Sequence, residues 1–315
     1  MDNKLIKRYH LQNFLHSIIL LAGMLILLGV IGWLVAGFLG ILWSLASGLI
    51  FLIIASGISS QLILFLYGAR PVLNNQLSLL NDIVDWLAVQ SHLKQTPRLY
   101  YIPSRAMLAF SVGIQKDPAI AVSDGMLSAL NSREILAVLA HEISHIHNKD
   151  LWVMVVADAI SRITSVMALT GYIMVLFYLP FSIFQQQQIP WLLLILLMIA
   201  PNLSALMQLA LSRTREFNAD LQAVKLTSDP HGLISALSKI EHYQTQGFKQ
   251  ILLPGLRLPQ PSLLRTHPLT EERIQRLLTM AQHRQHPFFN QQQMPPHRLP
   301  RSRRSPRIRI NGLWH

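Results

Sequence analysis

The sequence predicts a multi-pass α-helical membrane protein, with four transmembrane helices and an α+β domain outside the bilayer. Composition carries the first half of that prediction. The 315 residues are 51% apolar and 13% charged, against roughly 25% charged in soluble domains. Charge placement carries the rest. Lys, Arg, Asp and Glu are absent from two blocks, the 61 residues from Tyr9 to Ala69 and the 50 from Ile163 to Ser212. The other 204 residues hold all 42 charges, a density near that of a water-facing domain.

Crossing roughly 30 Å of hydrocarbon takes about 20 apolar residues, so each uncharged block has room for two helices and their connection. The first block divides near Gly37 and Gly40 into Phe14 to Val35 and Phe38 to Ile58, with a less hydrophobic continuation through Gly68. The second divides at Gln185 to Gln188 into Ser165 to Phe184 and Trp191 to Leu211. Lys4, Lys7 and Arg8 resemble the start of a cleaved signal, but the apolar stretch overruns signal length and a second span follows at once. A retained anchor is expected. The chain then divides into a transmembrane hairpin (1–69), a middle segment (70–162), a second hairpin (163–212), a further polar segment (213–280) and a basic tail (281–315).

Orientation follows the basic residues. Lys4, Lys7 and Arg8 lie at the N-terminus, and Arg70, Lys94, Arg98, Arg105, Lys116, Arg133 and Lys149 lie between the hairpins. The region after Arg213 is basic as well, whereas both hairpin loops are uncharged. With an even number of crossings, both termini and the middle segment are expected on the cytoplasmic side of a cell (inner) membrane. The chain has no cysteine, so no thiolate can hold a metal.

In the middle segment, Leu73, Leu77, Leu80, Ile83, Trp86 and Leu87 recur at helical spacing within Pro71 to Leu93. Short apolar stretches at Arg98 to Ile102, Met107 to Val112 and Ala119 to Val122 read as strands. Asn131 followed by Glu134 is a capping-box pattern that opens a helix through His145. On that helix stands HEISH, His141 to His145. Residues i and i+4 share a face, so both imidazoles can converge on one metal while Glu142 takes a proton from metal-bound water. Chance would produce the pattern about 0.01 times in this composition. His147 falls off that face.

Two histidines leave a zinc site one protein ligand short. After the second hairpin comes SRTREFNAD, Ser212 to Asp220, where Glu216 and Asp220 again stand four apart. Glu216 can reach the metal while Asp220 holds the free ring nitrogen of a ligand histidine. The same charges could alternatively form a juxtamembrane turn.

Taken with LAHEISHIHNKD, the two hairpins, SRTREFNAD and the later THPLTEERI (Thr266 to Ile274), the chain resembles the HtpX-type membrane zinc metallopeptidases, gluzincins related to the CAAX prenyl endopeptidases. The resemblance spans roughly Met1 to Leu278. It implies an α+β zincin-like cytoplasmic metallopeptidase domain, one Zn²⁺ per chain on His141, His145 and Glu216, Glu142 as general base, and Asp220 behind the ligands. It also implies an ATP-independent endopeptidase of protein quality control and stress response, cleaving damaged or misfolded membrane proteins through Glu-assisted attack of a zinc-bound water. The family's substrate-pairing strand usually reads Asn-Ala-Phe; here it reads Leu108, Ala109, Phe110. Pairing through main-chain groups survives that change, although Ala109 and Phe110 fit an ordinary buried strand equally well. His267, in the family's Thr-His-Pro segment, is a candidate for polarising the scissile carbonyl or the oxyanion.

The expected partners are unfolded or membrane-protein substrates and the lipid bilayer. The stretch from Ala281 to His315 carries seven arginines and no acid. Anionic lipid headgroups suit such a tail, a solvated tail without a partner fits equally, and no specific nucleic acid is expected. A non-enzymatic membrane scaffold is the competing function class; it has no need of Glu142.

Overall fold

The computed structural model describes residues 3–56, 60–72, 78–113, 117–184, 191–250 and 270–282. Three helices are long and apolar enough to cross a membrane: α1 (Asn3–Ser56), α6 (Asp150–Phe184) and α7 (Trp191–Thr227). α1 is not straight. Ala36 and Gly37 leave helical geometry, and Gly37 takes φ +60°, ψ −144°, a conformation a side chain would resist. A Cβ added to Gly32 would sit 2.6 Å from the carbonyl oxygen of Gly40, whereas residues eight apart in a straight helix are separated by about 12 Å. The chain therefore folds back at Ala36–Gly37, where the sequence divides its first apolar block, and glycine at 32 and 40 lets the two limbs touch.

Met24 and Leu28 of the first limb pack with Met154, Ala157, Ile160 and Ile163 of α6 and Leu211 of α7. Nearby, Leu27 and Ile31 meet Ala168, Leu197 and Ala200. The outer faces remain apolar: Trp43, Phe177 and Leu192 are each more than two-thirds exposed. An apolar surface this extensive matches hydrocarbon rather than water.

Outside the apolar helices stands a four-stranded sheet of order β1-β2-β4-β3, made of β1 (Arg70–Pro71), β2 (Arg98–Ile102), β3 (Ala109–Val112) and β4 (Ala119–Ser123). β2 and β4 run parallel, and the outer pairs are antiparallel. The three stretches read as strands from sequence are β2, β3 and β4. α2 (Ser60–Leu66) covers one face, with Leu64 packed against Ile102, Phe110, Val112, Ala119 and Ala121. Pro71, where the expected helix opened, is instead in β1, paired with Tyr100, and the helix is described as α3 (Ser78–Gln90). Of its apolar positions, Leu73 and Leu77 lie outside the described residues.

Short α4 (Asp124–Ala129) follows β4. Its N-cap, Ser123, accepts from the N–H groups of Met126 and Leu108 and donates to the carbonyl of Ala106. The approach to β3 is fixed in this way. α5 (Ser132–Asn148) opens with both halves of the capping box between Asn131 and Glu134, and α8 (Pro230–Gln250) and α9 (Thr270–Gln282) complete the described elements.

Candidate metal centre

α5 places the candidate ligand residues. Its apolar positions, Ile135, Val138, Leu139 and Ile143 among them, are buried, which orients His141, Glu142 and His145 toward α7 and β3. Lys149 adopts the left-handed conformation and ends the helix, its N–H donating to the carbonyls of His145 and Ile146. That turn brings Asp150, the first residue of α6, back against the ring of His145. α7 runs unbroken from the apolar region to Thr227, about 55 Å at helical rise, and carries Glu216 and Asp220 on its far half.

His141, His145 and Glu216 each turn one ligand atom to a common point, all within 4.8 Å of one another. The two Nε2 atoms are 3.1 Å apart. Glu216 Oε2 lies 3.4 Å from Nε2 of His141, and Oε1 lies 3.6 Å from that of His145. Behind the rings, His141 Nδ1 is 3.0 Å from Asp220 Oδ1 and His145 Nδ1 is 2.9 Å from Asp150 Oδ2. A carboxylate only accepts, so each Nδ1 carries the hydrogen and each neutral ring presents a bare Nε2 lone pair to the other. Two lone pairs and a carboxylate oxygen facing one another at this range repel unless a cation or proton lies among them. The donor set fits a divalent metal of the zinc kind. Without a metal the site draws a proton instead. Burial opposes charging of His141, but its bonds to Asp220 and Glu216 prevail and raise its pKa to about 10.

The expected ligand set is therefore brought together, with Asp220 where its spacing placed it. Glu142 is buried and lines a cleft with Ala109, Phe110, Ser111, His145 and Glu216. Among the described residues β3 pairs only with β4, so Ala109 and Phe110 are both buried and at an edge of the described sheet. His147 is exposed, off the ligand face. His267 lies outside the described residues.

Three participants were not assigned from sequence. Asp150 follows a helix break, where no spacing rule applies. Arg215, beside Glu216, donates from Nη1 to Asp150 Oδ1 at 3.1 Å. Arg273, from the THPLTEERI stretch, donates from Nε and Nη2 to the two oxygens of Asp220 at 2.8 and 2.6 Å, and its Nη1 lies 3.2 Å from Glu216 Oε2. Burial alone would raise the Asp220 carboxyl, but Arg273 and the His141 ring bring it down to about 2.

Comparison with known proteins gives the family. The model of peptidase family M48 matches residues 75–281, which include every residue of the centre. The chain belongs to peptidase family M48. It is a metalloprotease. It is 37% identical to "Protease HtpX homolog" of Acaryochloris marina over 71% of this chain and 79% of that one. It is 32% identical to "Protease HtpX" of Legionella pneumophila over 85% and 99%. Among solved structures, that of S. mikatae Ste24p is 18% identical with a TM-score of 0.45, covering 86% of this chain and 66% of that one.

Proposed function

We propose that this M48 chain is a zinc-dependent membrane endopeptidase that cleaves misfolded or damaged membrane proteins on the cytoplasmic side of the inner membrane. The observation that carries the reading is the convergence of His141, His145 and Glu216 on one point, in a cleft shared with Glu142 and β3. His141, His145 and Glu216 hold the ion. Bound there, zinc supplies Lewis acidity toward a peptide carbonyl and makes water nucleophilic at neutral pH. Glu142 takes the proton of the attacking water and passes it to the leaving amine. Asp220 and Asp150 keep the imidazoles in their metal-binding orientation.

The edge of β3 away from β4 accepts extended substrate backbone as an added strand, with Ala109 and Phe110 at the pairing position. Such pairing needs an accessible main chain, which favours unfolded polypeptide. His267 is retained as the candidate for polarising the carbonyl. Four spans, α1 counted twice for its reversal, and a basic excess on the polar segments support cytoplasmic placement of the site and both termini. The division 1–69, 70–162, 163–212, 213–280 and 281–315 belongs to the same reading. So does attraction of the arginine-rich tail to anionic headgroups.

A paired assay tests the proposal. Wild type purified with zinc should cleave an unfolded membrane-protein substrate. Glu142→Gln should retain zinc and substrate binding while losing at least about two orders of magnitude in turnover, the usual worth of general-base catalysis. Equal turnover in both, or none in zinc-loaded wild type across several unfolded substrates, would reject it.

A further inference from the structure

Arg273 is almost fully buried, at 4% exposure, yet it belongs to α9, fifty-three residues along the chain from the Asp220 it grips. A buried guanidinium is costly unless its donors are matched. Here the match is with two acids of the metal centre: both oxygens of Asp220 through a two-pronged contact, and Glu216 Oε2 at 3.2 Å. Asp220 Oδ1 is shared between this fork and Nδ1 of His141. A planar fork fixes the plane of the carboxylate it grips, and that plane decides whether Oδ1 meets the His141 ring. α9 buries Leu277, which is 1% exposed, and is tied to α7 by the Arg276 guanidinium, 3.6 Å from the centroid of the Phe217 ring. Arg273 is not among the cleft-lining residues. It stands behind the ligands, away from substrate.

We propose that α9 completes the metal centre, with Arg273 as a positioning residue that acts through Asp220 and Glu216 to hold the ligand set in its binding geometry. This rests on the metallopeptidase reading. α5 and α7 alone would supply every ligand, but Asp220 would then face His141 with a buried charge unmatched and a carboxylate free to rotate. The His145 side of the centre needs no such clamp from afar, because Arg215 is carried by α7 itself and meets Asp150 there.

The test measures zinc affinity of the full-length protein in detergent by competition with a chromophoric chelator, for wild type, Arg273→Met, Arg273→Lys, Asp220→Asn and the double variant Arg273→Met/Asp220→Asn. Arg273→Met should bind zinc about 10 to 100-fold more weakly, the usual cost of disturbing a ligand's outer partner. Arg273→Lys keeps the buried charge that folding requires but loses the fork, and should fall between wild type and Arg273→Met. If Arg273 acts through Asp220, the double variant should bind zinc no worse than the weaker single variant. At saturating zinc, KM for a peptide substrate should stay within about two-fold of wild type, because Arg273 itself does not line the cleft. Zinc affinity that is unchanged or tighter in Arg273→Met and Arg273→Lys, or losses that add in the double variant, would overturn the role of Arg273 and leave the metallopeptidase reading standing. A wild type that binds no zinc would overturn both.

Discussion

Asp150 answers two demands with one carboxylate. As the first residue of α6 it places negative charge at a helix N-terminus, where the backbone dipole favours it. It also accepts from His145 Nδ1 at 2.9 Å and from Arg215 Nη1 at 3.1 Å while 2% exposed. Asp150→Ala should therefore weaken zinc binding by about 10 to 100-fold, as loss of a ligand histidine's partner does elsewhere. Chelator competition measures this, and affinity equal to wild type would remove Asp150 from the centre. Glu216→Gln tests a ligand rather than a support: zinc occupancy at limiting metal should fall well below wild type, and full occupancy would move the third ligand elsewhere. The clustering of these residues was legible in the sequence because i, i+4 spacing puts His141 with His145, and Glu216 with Asp220, on one helical face each. Asp150, Arg215 and Arg273 were not, because their roles depend on how a helix break and a distant helix fold back onto that face.

Among elements, α5 has to hold three functional side chains still, and its N-terminal tether does part of this. Glu134 is buried, donates nothing, and accepts from the backbone N–H of Asn131, from Ser235 and from Lys239, the last two on α8. Burial alone would raise the Glu134 carboxyl, but Lys239, Ser235 and Asn131 together hold it below its ordinary value of 4.5. A depressed carboxyl contributes stability that is fully present above its ordinary pKa and is lost as pH falls through its lowered value. Glu134→Leu should thus lower the thermal stability of the detergent-solubilised protein at neutral pH by about 1 to 3 kcal/mol, the range for a lost cap and buried partners. Its deficit relative to wild type should shrink below about pH 4, as wild type loses the same contribution. A deficit that stayed constant down to pH 3 would mean the charge is not what ties α5 to α8. The capping box itself was legible from Asn131 and Glu134 in sequence, whereas the link to α8 was not, since Ser235 and Lys239 lie a hundred residues on. The loss of Pro71 from the helix expected over Pro71 to Leu93 has a comparable cause, since β1 claims that residue for the sheet.

For the whole molecule, the decisive feature is that the same helices carry the apolar surface and residues at the His-His-Glu cluster. α7 passes from an apolar face at Trp191 to Glu216 and Asp220 without a break, and α6 begins at the centre and ends in the apolar region. The distance from membrane to cleft is thereby built into two rods. The two uncharged blocks announced the apolar helices, and the reversal of α1 at Ala36–Gly37 doubles one of them. That reversal fixes parity. If α1 crosses twice, and α6 and α7 once each, every polar segment lies on one side, and the basic excess puts that side in the cytoplasm. Reporters fused after Trp86 and after Gln250 should then both read cytoplasmic, and one inserted at Gln186 should read the opposite side. A straight α1 crossing once would instead put the N-terminus and the segment after Trp86 on opposite sides. Bulk at the Gly32–Gly40 contact offers an independent check, because Gly40→Leu cannot be accommodated against the Gly32 backbone. It should splay the two limbs and lower the yield of folded protein, measured by size-exclusion chromatography, while Gly29→Leu, which meets no atom within 4 Å, should be tolerated. A reporter at the N-terminus that reads the side opposite to the one after Trp86, or full tolerance of Gly40→Leu, would reject the hairpin and with it the four-crossing topology.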